Sequence, residues 1–82
     1  MIGRDLDVLI SIAMTRGGTA KEIAARVRLS RFSVYRSVAA LEGMRLIRAE
    51  EVRGILVYSI TRLGRETLAG LAIRFVAALG RA

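Results

Sequence analysis

Cys, His, Pro, Trp, Asn and Gln are all missing from this 82-residue chain. Without Cys there is no disulfide. Without Cys and His there is neither a zinc site of the usual kind nor His-based catalysis. Asp occurs only at Asp5 and Asp7, so no nucleophile–base pair or metal cage can be assembled, and an enzyme is not expected. No cofactor or metal is expected either. No uninterrupted apolar run approaches the ~20 residues of a membrane span. Met1-Ile2-Gly3-Arg4-Asp5 is interrupted by charge at once and lacks a signal-peptide layout. The expectation is a soluble, cytoplasmic protein. Loss of the thermolabile Asn, Gln and Cys also suggests a thermophile source.

What is present is positive charge. Fourteen basic residues face seven acidic ones, for a net +7, and all but Lys21 are Arg. Such a balance favours a polyanionic partner, nucleic acid or an acidic membrane surface, although a GC-rich genome alone enriches Arg, Ala, Gly and Val. The distribution narrows the choice. Residues 1–18 and 46–60 each hold two basic and two acidic residues, whereas residues 19–45 hold six and two and residues 61–82 hold four and one. The excess is centred on the middle of the chain, with a second share at its end.

Hydrophobic spacing divides the chain into six elements within one small domain. A first helix over about Arg4–Arg16 places Ile2, Leu6, Leu9, Ile10, Ala13 and Met14 on one face. Asp5 and Asp7 near its start and Arg16 near its end suit the helix dipole, and Gly17-Gly18 stops it. Thr19 and Glu22 fit a capping box for a short second helix that turns Ile23, Ala24 and Val27 inward. Arg28-Leu29 connect it to a third helix capped by Ser30. Gly43 can end that helix. The period then becomes two: Ile47, Ala49, Leu56, Tyr58 and Ile60 share one face of a hairpin turning at Arg53-Gly54, with Arg48, Glu50, Val57 and Ser59 on the other. Thr61 caps a final helix to about Leu79.

The third helix organises the rest. Val34, Val38 and Leu41 form an apolar stripe, while Arg31, Ser33, Tyr35 and Arg36 lie largely off it towards the amino end. A helix held by one side with Arg, Ser and Tyr on the other meets the needs of DNA recognition. An ordinary amphipathic helix with a solvated basic face has the same pattern. The second half of the last helix is apolar nearly all round, and Leu68, Leu71, Ala72, Phe75 and Leu79 follow a coiled-coil-like spacing. So small a domain cannot cover such a helix on every side. It is expected either to pair with its twin or to leave apolar residues exposed.

Three motifs resemble the winged helix-turn-helix regulators, closest to the small dimeric archaeal and bacterial regulators of the MarR and PadR groups. Leu29-Ser30-Arg31-Phe32-Ser33-Val34-Tyr35-Arg36 is similar to the opening of their recognition helix. Leu41-Glu42-Gly43-Met44-Arg45-Leu46-Ile47 is similar to their Leu-Glu-x-x-Gly-Leu-Ile lead-in to the wing. Tyr58-Ser59-Ile60-Thr61-Arg62-Leu63-Gly64-Arg65-Glu66 is similar to the Tyr-x-Leu-Thr-x-x-Gly-Arg-Glu that leaves it. Arg45 replaces the family's Gly, so the chain must reverse at Gly43 or strain at Arg45.

The resemblance implies a mainly α fold in the order α-α-α-β-β-α. A winged helix-turn-helix DNA-binding domain would cover residues 1–62, and a dimerisation helix residues 63–82. By position it casts Arg31, Ser33 and Arg36 as base or near-base contacts. Tyr35 becomes a phosphate or sugar contact, and Arg53 a wing-tip contact to the minor groove. Thr19, Lys21, Arg26 and Arg28 are cast as phosphate contacts, alongside the capping Ser30. Tyr35 packed on the domain, Arg26 paired with Glu22 and a solvated Arg53 are the respective alternatives. The function implied is a homodimeric, sequence-specific regulator of double-stranded DNA acting on a near-palindromic operator. A sequence-tolerant architectural DNA-binding protein and a protein-interaction module are the competing readings. Nothing in the sequence marks an effector pocket.

Overall fold

A computed structural model describes residues 3–15 and 17–80. Ile2 and Arg16, assigned above to the first helix, lie outside the described residues. Helix α1 spans Gly3–Met14, α2 Ala20–Val27 and α3 Arg31–Gly43; strands β1 (Ile47–Val52) and β2 (Ile55–Ile60) lead to α4, Arg62–Gly80. The three helices, the hairpin and the terminal helix make a winged helix-turn-helix, in the order the sequence implies.

The core is built where α1, α2 and α3 meet the base of the hairpin. Leu9, Ile12, Ile23, Leu41, Val8 and Val34 are its largest fully buried apolar side chains, each contributing about 2 kcal/mol by removal from water. Two arginines tie the helices across it. Arg4 Nε donates to the buried Ser37 Oγ at 3.1 Å, linking α1 to α3. Arg26 reaches from α2 to Ser11 Oγ on α1 at 3.2 Å and to Thr15 Oγ1, just past its end, at 2.7 Å.

The buried face of α1 corrects the sequence reading. Asp5, Val8, Leu9, Ser11 and Ile12 are buried, whereas Ile10 and Met14 are exposed and Leu6 and Ala13 only half-buried. Leu9 alone among the described residues lies on both the expected and the observed buried faces. Apolar residues run round most of this helix, so their spacing does not choose a face; the fit against α2 and α3 does. Gly17-Gly18 also does more than end α1. Gly18 pairs with Tyr58 through main-chain hydrogen bonds of 3.0 and 2.9 Å, adding a one-residue third strand to the hairpin. Gly17 has φ +97°, and a side chain there would press on the Tyr58 carbonyl.

Strands β1 and β2 are antiparallel in the register Ile47↔Ile60, Ala49↔Tyr58, Glu51↔Leu56 and Val52↔Ile55. The inward face is therefore the expected one, with Leu56 left exposed towards the tip. Arg53 (φ 52°) and Gly54 (φ 78°) both take left-handed conformations, matching the right-handed twist of the strands.

Where α3 passes into β1, the chain strains at Arg45 (φ 61°) rather than reversing at Gly43. Thr61 stabilises this turn. Its hydroxyl donates to the Arg45 carbonyl at 2.7 Å and accepts from the Gly64 amide at 3.0 Å, while its own amide donates to the Leu46 carbonyl. Gly64 is buried here. A Cβ on it would collide with the Leu46 carbonyl oxygen and with Ile60 Cγ1. The second and third sequence motifs are thus two halves of one junction.

Candidate nucleic-acid interface

The helix-turn-helix is set by local capping. Glu22 N donates to Thr19 Oγ1 at 3.2 Å, and Thr19 N donates to Glu22 Oε1 at 3.0 Å, completing the capping box. The backbone and side-chain hydrogen bonds from Thr19, helped by nearby Arg26, hold the Glu22 carboxyl below its ordinary pKa. Ser30 Oγ accepts from Ser33 N at 3.1 Å and donates to Ser33 Oγ, fixing the start of α3. Between the helices Arg28 takes a left-handed conformation (φ 56°). That position commonly holds Gly, and an L side chain there costs about 1–2 kcal/mol.

A groove of about 410 Å³ opens between the start of α2, the outer side of α3 and the hairpin tip. Thr19 and Lys21 line one wall, Arg31 and Tyr35 another, and Gly54, Ile55 and Leu56 the third. Arg53 adjoins it in the turn. Ser30 and Ser33 lie at the amino end of α3 and are engaged with one another. Arg36, one turn after Phe32, carries its guanidinium carbon 5.9 Å from the centre of the Phe32 ring. Arg28 is exposed in the inter-helix turn. Arg26 stands apart from this group, because its side chain is spent on Ser11 of α1 and on Thr15 just after it rather than on Glu22 or the groove. Tyr58 forms the groove floor; burial, with Glu42 and Tyr35 nearby, pushes its phenol pKa up and keeps it neutral.

Sequence reasoning gives Phe32 no role, yet it is 70% exposed on the outside of α3. The signal was available: Phe32 lies half a turn from the Val34–Val38–Leu41 stripe, where a large aromatic side chain has no core to enter.

On α4, Leu68 packs against the domain core and Leu71 is half-buried. The same stripe then runs off the domain: Ala72 is exposed, as are Phe75 and Leu79, with Ile73 and Val76 exposed beside them.

This arrangement of helices and wing is shared with known regulators. No family model matches the chain, and no curated protein is significantly similar to it. Solved structures do match. A Listeria innocua protein of unknown function superposes with a TM-score of 0.84 at 28% identity, over 96% of this chain and 56% of that one. A MarR family transcription regulator superposes at 0.84 with 19% identity, over 98% and 55%. FabT of Streptococcus pneumoniae, solved in complex with DNA, superposes at 0.80 with 17% identity, over 99% and 58%. The fold is that of MarR-family winged-helix regulators, and the chain spans little more than half the length of these solved chains. Among the described residues no helix is long and apolar enough to cross a membrane.

Proposed function

We propose that the chain is a sequence-specific double-stranded DNA-binding transcriptional regulator that acts as a homodimer on a near-palindromic operator. The observation that carries this reading is the groove, where Lys21, Arg31 and Tyr35 from two helices meet the wing tip, all of them in or beside the most basic part of the chain. The fold shared with a regulator seen on DNA supports it. In this reading α3 enters the major groove. Arg31 and Arg36 read guanine O6 and N7, with Ser33 beside them. Tyr35, Thr19, Lys21 and Arg28 meet sugar and phosphate, and Arg53 approaches the minor groove. Arg26 serves the scaffold by holding α2 on α1. Residues 1–62 supply recognition, and the stripe from Leu68 to Leu79 supplies pairing with a second copy. A twofold axis would set the two α3 helices about one DNA turn apart, ~34 Å.

Selection of bound duplexes from a random library at near-physiological salt tests this. The expected product is a motif with two inverted halves. Binding without a motif would make the chain a sequence-tolerant architectural protein, and no binding would make it a protein-interaction module. On the selected site, Arg36→Ala should weaken binding by roughly 1–3 kcal/mol and relax specificity at one base pair. A uniform loss on every sequence would reassign Arg36 to phosphate.

A further inference from the structure

We infer that Phe32 is a specificity residue that reads the 5-methyl group of a thymine in the major groove and steadies Arg36 over the neighbouring bases. The inference rests on the proposal that α3 is the recognition helix. Val34, Ser37, Val38 and Leu41 are the buried residues of α3. The direction opposite them is taken by Phe32, Arg36, Ala39 and Gly43, at i, i+4, i+7 and i+11, and all four are exposed. Of this outermost row only the first two have long side chains. Ala39 and Gly43 leave room for the helix to lie close to a groove floor, so Phe32 and Arg36 reach it first.

Their chemistry is complementary to one step of sequence. A phenyl ring has no hydrogen-bonding group, and the only apolar feature a base pair shows in the major groove is the thymine methyl. Arg36 offers a planar fork of donors that fits guanine. Four residues of helix advance about 6 Å, and successive base pairs are about 3.4 Å apart, so the pair addresses bases no more than two steps apart. With the Arg36 guanidinium 5.9 Å from the Phe32 ring centre, the ring attracts the cation and restrains a side chain that would otherwise sample many rotamers.

The test uses duplexes selected by the protein itself, with thymines replaced one at a time by deoxyuridine, which removes the methyl and nothing else. Fluorescence anisotropy of the wild-type chain should show about a fourfold loss of affinity at one thymine per half-site, the worth of one buried methyl. Phe32→Ala should bind the thymine duplex more weakly and lose its sensitivity to that replacement. Phe32→Leu, apolar but without a ring, should keep it. Because Phe32 is exposed, neither variant should alter the fold, which circular dichroism checks. If wild type binds but no deoxyuridine replacement matters, or if Phe32→Ala loses as much as wild type, the assignment is wrong while the DNA-binding reading stands. If wild type binds no duplex, both readings fall and Phe32 becomes an exposed anchor for a protein partner.

Discussion

The two ends of α4 follow different rules. Its first turn is locked into the domain: Thr61 caps it, holds the strained Arg45 turn and pairs with Leu46, while Gly64 sits where no side chain fits. Its last two turns are solvent-exposed along their described length, and Phe75, Val76 and Leu79 are each at least 61% exposed. A helix that served only the monomer would carry polar residues at those positions. The contrast teaches that α4 joins two structures, one within the chain and one, in our proposal, between chains.

The same substitution at two glycines of this helix separates its locked first turn from the middle of the helix most sharply. Gly64→Ala forces a methyl into the Leu46 carbonyl and should destabilise the fold by about 3 kcal/mol, the upper range for overpacking. Chemical denaturation would show a large fall in midpoint. A Cβ at Gly70 meets nothing within 4 Å, so Gly70→Ala should instead stabilise by about 0.8 kcal/mol through helix propensity. A loss at Gly70 would mean that a second chain approaches closely there. Arg45→Gly should have an effect of similar size to Gly70→Ala. It removes the left-handed strain of about 1–2 kcal/mol but adds glycine's entropy cost in the unfolded chain, for a net gain of about 0.5–1 kcal/mol in the same denaturation experiment.

Much of the fold was legible because caps and turns are local. Thr19, Glu22 and Ser30 act within three residues of themselves, and the Arg53-Gly54 turn fixes the register that places Ile47, Ala49, Tyr58 and Ile60 on one face. What was not legible is non-local. The face of α1 is chosen by partners, since its apolar residues lie nearly all round. The Gly18–Tyr58 bridge joins residues forty positions apart. Arg26 has a plausible neighbour in Glu22 by spacing, yet bonds to α1. Arg45 showed that something had to yield at the wing, but only the hydrogen bond from Thr61 shows why it yields there. In the candidate site, Arg31, Tyr35, Thr19 and Lys21 line one groove, whereas Phe32 escaped notice because apolar residues on a helix are first read as core.

The central claim, that the exposed end of α4 is a pairing surface, is tested most directly by light scattering of the wild-type chain beside Phe75→Asp. The account predicts twice the 8.9 kDa chain mass for the wild type, and the single-chain mass for the variant with its helical circular dichroism retained. A wild type that scatters as a single chain, or a variant whose mass is unchanged from a wild-type dimer, would contradict it.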